Sequence, residues 1–153
     1  DLNMDASLIY YYYPGSGDAP RKSYGEGHLG LDYTFKELPL SPKIIGGYNY
    51  SPNFFGQDGD AHYGSGRLDL SLPYEFTLSG LVGYQWVEGN QTTGHGNGDN
   101  GHDGYDYTHW RIGISRPLLG FVLDLSYNDT NNANFLGKDI ADERVVFSVS
   151  RTF

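Results

Sequence analysis

Apolar and polar residues alternate with period two in eight separate stretches, and no helical period competes with them anywhere in the chain. Such alternation turns one side of each stretch toward an apolar medium and the other toward a polar one, which is the geometry of a β-strand. In residues 2–13 the even positions carry Leu2, Met4, Ala6, Leu8, Tyr10 and Tyr12, against Asn3, Asp5 and Ser7. Residues 26–35 set Leu29, Leu31, Tyr33 and Phe35 against Glu26, His28, Gly30, Asp32 and Thr34. Residues 44–50, 65–72, 76–87, 107–116, 121–129 and 144–153 repeat the pattern, with Leu81 and Val87 as exceptions. The chain is therefore expected to be all-β, with eight antiparallel strands in one domain spanning residues 1–153.

The connections between these stretches are sorted by length. Segments 13–24, 51–62, 88–105 and 130–143 are long and polar, and 36–41, 73–75 and 116–120 are short. Strict alternation of long and short is the mark of an up-and-down transmembrane barrel, with long loops on the outer side and tight turns on the periplasmic side. A soluble meander has no physical reason to sort its loops so. The soluble alternative, a barrel with its apolar parity inward around a ligand, is compatible with the alternation alone but predicts no such sorting.

Composition agrees with a membrane wall. Glycine occurs 22 times and tyrosine 14 times in 153 residues, aromatics reach 16 %, and cysteine is absent. A chain with a mean hydropathy of −0.52 seldom carries so many rings unless they fill interfacial belts. No run approaches the roughly 18 apolar residues of a transmembrane helix, whereas a transmembrane strand needs only about 9–11 residues, half of them polar. The net charge of −9 argues against a nucleic-acid partner.

The aromatics are ordered along the strands. On the apolar parity Tyr12, Tyr50, Trp86 and Tyr127 mark the long-loop end, and Phe35, Phe76, Phe121 and Phe153 mark the short-turn end. Two belts at two interface levels are expected of a membrane barrel. The last stretch carries Val145, Phe147, Val149 and Phe153 on alternating positions, which resembles the C-terminal assembly signal of outer-membrane proteins. Arg151 departs from the apolar residue usual at its position, and its head is expected to snorkel to the interface.

With these residues in view, the chain resembles the TorF family of porin-like proteins, proteobacterial outer-membrane β-barrels of poorly defined function. The similarity is carried by residues 8–15 (LIYYYYPG), 48–54 (YNYSPNF), 72–84 (LPYEFTLSGLVGY), 107–119 (YTHWRIGISRPLL) and 144–153. Members are usually longer, so the resemblance implies the C-terminal eight strands of a barrel of about twelve. The chain opens inside a strand pattern at Asp1 and Leu2, so a leader and further strands are expected to precede this segment in the native protein. A complete eight-stranded barrel is the alternative, its lumen filled by side chains.

The polar parity carries Asp5, Glu26, Asp32, Asp69 and Asp124 with Arg67, Arg111 and Arg144, plus His28 and His109. These are the candidate lumen residues, acting as a selectivity filter or as salt bridges that plug the interior. His95, Asp99, His102 and Asp103, in the glycine-rich stretch 94–104, are weak candidates for a metal site. The stretch is one imperfect copy where stacked repeats are needed, so it reads as solvated loop and no metal or other cofactor is expected. His109 and Ser115 share a parity but lie about 20 Å apart along a strand, and no nucleophile elbow occurs, so no enzymatic activity is expected.

The sequence thus predicts a barrel in the outer membrane of a Gram-negative bacterium, partnered by the lipid bilayer and the outer-membrane assembly machinery. Its expected task is passive passage of small hydrophilic solutes. A non-conducting barrel whose long loops bind a partner is the rival.

Overall fold

The computed structural model describes residues 1–14, 22–54, 59–88, 106–131, 134–135, 138–139 and 143–152. Strands β1 (Leu2–Tyr11), β2 (Tyr24–Thr34), β3 (Lys43–Ser51), β4 (Ala61–Ser71), β5 (Thr77–Val87), β6 (Tyr107–Leu118) and β7 (Phe121–Asn131) follow in order. After them come two-residue strands β8 (Asn134–Phe135) and β9 (Lys138–Asp139), and then β10 (Arg144–Ser150). One 3-10 turn, Pro73–Glu75, joins β4 to β5. No helix among the described residues is long and apolar enough to cross a membrane, which says nothing about crossing by strands.

Eight strands form one antiparallel sheet in the order β1-β2-β3-β4-β5-β6-β7-β10, while β8 pairs only with β9. Each of β1 to β7 pairs with its neighbour in sequence, across long and short connections alike, and β10 pairs with β7. Within the eight-stranded sheet the shortest connection is the pair Leu119 and Gly120, whose φ angles of 53° and 79° are both positive, as a type I′ hairpin loop requires. The eight expected stretches are all strands. β4 starts at Ala61 rather than at residue 65, because Gly64 and Gly66 blank out the apolar signal while the ladder with β3 continues. The β8–β9 hairpin has no periodic signature in the sequence.

The register keeps every strand in phase. Met4 lies opposite Leu31, Leu29 opposite Tyr48, Ile44 opposite Leu68, Leu78 opposite Ile114, and Leu125 opposite Phe147. One continuous face is therefore apolar from β1 to β10, and the other collects the polar parity. Exposure follows these faces in the sense opposite to that of a water-soluble sheet. Leu8 is 91 % exposed on the apolar face, while Ser79 and Ser126 on the polar face are 4 % and 5 % exposed. The well-buried apolar residues are only Ala61 and Val87, at the long-loop end of the polar face, among the described residues.

The sheet curls around its polar face. Side chains of that face reach across strands, the Tyr63 hydroxyl on β4 meeting His109 Nε2 on β6 at 2.7 Å over β5. Ser79 and Ser126 on it are buried, while Leu8 and Val82 on the other face are exposed. The curl does not close into a barrel: β1 and β10 are not hydrogen bonded to each other and form the two edges. Closure, expected from the sequence, is the point at which the structure stops short.

Candidate functional site

The inner, polar face is where the chain's charges meet. At the long-loop end a chain of side chains runs over three strands. The Asp5 carboxylate lies 3.2 Å from His28 Nε2, His28 Nδ1 lies 2.6 Å from Asn49 Oδ1, and Asn49 Nδ2 donates to Glu26 Oε1 at 2.7 Å. Glu26 can only accept, which fixes the Asn49 amide with its oxygen toward His28 and makes Nδ1 of His28 the donor. His28 and Asp5 form an ion pair when the ring carries both protons. Glu26 is the carboxylate nearest His28 along its own strand, with Asp32 next. Cross-strand register supplies Asp5 instead, and reaches Glu26 only through Asn49.

Asp32 accepts from Asn3 Nδ2 at 2.9 Å and pairs with Lys43 at 3.2 Å. Lys43 was missed in the sequence because it lies just before an apolar stretch, at the start of β3. Arg67 Nε donates to Asp69 at 2.6 Å, two residues along the same strand face. On β6, Arg111 donates through Nη2 to both Asp124 oxygens at 2.6 Å and through Nη1 to Ser79 Oγ at 2.9 Å. Ser79 passes the chain on to the Gly113 carbonyl at 3.3 Å. His109 Nε2 meets the Tyr63 hydroxyl at 2.7 Å, bridging β4 and β6 across β5. Asn49 and Ser79 were legible only as members of the right parity, and Tyr63 lies ahead of the stretch 65–72 that the pattern marked.

Glycine makes room for these contacts. A methyl group at Gly30 would run into the Asp5 carboxylate, and one at Gly83 into His109 and Tyr63. At Gly113 it would sit 2.8 Å from the Arg111 guanidinium nitrogens. On the outer face Gly46, Gly64, Gly66 and Gly80 have nothing within reach of such a methyl. The inner glycines are seats for polar side chains, of neighbouring strands at Gly30 and Gly83 and of the same strand at Gly113.

Register also arranges the arginines. One ladder row crosses all eight strands as Asn3, Asp32, Ile45, Arg67, Leu81, Arg111, Asn128 and Arg144. Arg67, Arg111 and Arg144 thus lie at one level on alternate strands, an arc of positive charge with Asp5, Glu26 and Asp32 gathered at the β1–β2 side. Arg144 is on the exposed edge strand β10. Chemically this is a wall of paired charges, suited to contact with water and polar solutes. Among the described residues no group of three or more His, Asp or Glu side chains is placed to hold a metal ion. His95, Asp99, His102 and Asp103 lie outside the described residues.

The aromatic residues of the outer face sit in contact at both ends. Toward the long loops His62 lies 5.2 Å from Tyr50 and stacks 5.1 Å from Trp86, and Trp110 lies 5.3 Å from Tyr127. His62, which the sequence reading passed over, joins the belt through its ring and a 2.6 Å bond to the Tyr48 hydroxyl. Tyr12 follows β1 and is exposed. Toward the turns Phe35 packs edge-on to Tyr33 at 4.6 Å, Phe76 lies under Arg116 at 5.1 Å, and Phe121 under Arg151 at 5.3 Å. Of the expected assembly signal, Val145, Phe147 and Val149 share the apolar face of β10, and Phe153 lies outside the described residues.

A family model described as "Bacterial protein of unknown function (Gcw_chp)" matches residues 1–153. Neither the curated proteins nor the solved structures yield a match.

Proposed function

The chain belongs to the Gcw_chp family of bacterial proteins, and from that premise we propose that it forms the wall of an outer-membrane β-barrel that passes small hydrophilic solutes. The observation that carries this reading is the inversion of the sheet. Its outer face exposes Leu8, Leu29, Leu31, Ile112 and Leu125, while its inner face covers Ser79 and Ser126 and the Arg111–Asp124 pair. Each large aliphatic side chain gains about 1.5–3 kcal/mol on leaving water. A face made of them has a low free energy against hydrocarbon and a high one against solvent. The aromatic contacts at both ends and the resemblance to the TorF porin-like family support the same reading.

In a bilayer the bare edges β1 and β10 need partners, because an unpaired backbone group in hydrocarbon costs several kcal/mol. Closure, with β1 meeting β10 or with further strands between them, is part of the proposal. In the closed state the arginine row climbs obliquely along the lumen wall, because the strands of a barrel tilt by about 35–45°.

Planar-bilayer recording of the reconstituted protein tests the reading. Discrete single-channel steps are expected, with Arg111→Gln shifting selectivity toward cations and Asp69→Asn toward anions. Protein that inserts yet gives no steps removes the channel. The contacts of Lys43, Arg67 and Arg111 with carboxylates favour one second reading, a non-conducting barrel braced by its own ion pairs.

A further inference from the structure

Glycines of the two faces differ in what covers them. On the outer face Gly64, Gly66 and Gly80 are exposed, with open space where a side chain would begin. On the inner face Gly30, Gly83 and Gly113 are buried. Side chains lying on them do the burying. Gly83 is the ladder partner of His109, and a Cβ on it would collide with the His109 ring and the Tyr63 hydroxyl. Those two rings come from β6 and β4, lie 5.8 Å apart and 14° from parallel, and meet over the β5 backbone between them. Arg111 runs along its own strand over Gly113, held there by Ser79 and Asp124. The Asp5 carboxylate covers Gly30, its partner on β2. Because Cβ is the first atom off the backbone, groups that collide with it lie against the sheet instead of standing out from it.

From this geometry we infer that Gly30, Gly83 and Gly113 set the clearance of the pore, as positioning residues that let Asp5, Tyr63, His109 and Arg111 lie flat on its wall. It rests on the reading of the inner face as a lumen wall. Inward-pointing side chains fill the interior of an eight-stranded barrel. Laid along the wall, the same groups keep their hydrogen bonds and leave the centre to water and solute. Glycine weakens a strand and marks close approach of another group, and at these three positions the approaching group is a polar side chain of the wall itself.

Planar-bilayer recording of the full chain, with heat-modifiable gel mobility as the check on folding, tests the inference. Gly83→Ala adds one methyl group, too small to obstruct the lumen by itself. It is expected to lower single-channel conductance several-fold by lifting Tyr63 and His109 off β5, and Tyr63→Ala/His109→Ala added to it is expected to restore the conductance. Gly64→Ala, on the outer face of the adjacent strand, is expected to leave conductance unchanged. Folded Gly83→Ala protein that conducts like the wild type overturns the proposal. If Gly83→Ala does not fold, Tyr63→Ala/His109→Ala in the otherwise unaltered chain decides. Conductance close to that of the wild type supports rings held on the wall, and a several-fold rise shows that they fill the lumen and overturns it. Wild-type protein that inserts without steps removes the channel reading and the clearance with it. Steps in the wild type with no response to Gly83→Ala remove the clearance alone.

Discussion

Leu119 holds a left-handed backbone conformation, φ 53°, in the two-residue loop between β6 and β7. An L-residue with a branched side chain is disfavoured there by about 1–2 kcal/mol, and asparagine by much less. The Leu119 side chain is 88 % exposed, so little packing is lost on its replacement. Leu119→Asn, which makes an Asn-Gly loop, is expected to stabilise the fold by about 0.5–1 kcal/mol, read as a raised urea midpoint with an unchanged slope. A midpoint that falls would mean the loop is not of this type. Gly120 signals a turn here, but nothing in the pattern signals the strain at the residue before it. The same holds for glycine in general. Its abundance was plain, whereas the division into inner seats for Asp5, Arg111 and His109 and open outer positions needs strand register to be seen.

At the scale of strands, periodicity carries nearly all the information. Apolar parity in residues 26–35 and 107–116 placed β2 and β6 and chose their faces, because a one-residue slip would turn Leu31 or Ile112 to the wrong side. Which charge meets which was less legible, since contacts such as Asp5–His28 and Arg111–Asp124 depend on how far each hairpin is shifted. The Arg111–Asp124 pair gives a direct check on that shift. Its side chains are 23 % and 21 % exposed, so loss of one partner leaves a poorly solvated charge. Arg111→Gln and Asp124→Asn are each expected to cost about 1–3 kcal/mol. The double variant is expected to cost less than their sum, with a coupling of about 1 kcal/mol or more in urea unfolding. Strict additivity would show that β6 and β7 are registered differently.

For the molecule as a whole, what matters is the medium on each side of one curved sheet. Alternation tells that the two faces differ, and a soluble barrel and a membrane barrel share that much; the burial of Ser79 and Ser126 against the exposure of Leu8 and Ile112 is what the proposed membrane reading stands on. Edge pairing lay beyond the pattern, because nothing in the composition of β1 or β10 says what stands beside them. The medium can be tested on a single strand. Val82 lies midway along β5 on the outer face and is 54 % exposed, while Gln85, three residues on, lies on the inner face opposite Tyr63 and Tyr107. If hydrocarbon covers the outer face, Val82→Arg costs about 2–4 kcal/mol in equilibrium folding into vesicles, and Gln85→Arg costs below about 1 kcal/mol. If water covers it, an arginine at Val82 is solvated at once and the order of the two variants is lost. The comparison uses the same side chain, strand and vesicle, so the difference between the two costs reports the medium rather than the propensity of arginine for a strand.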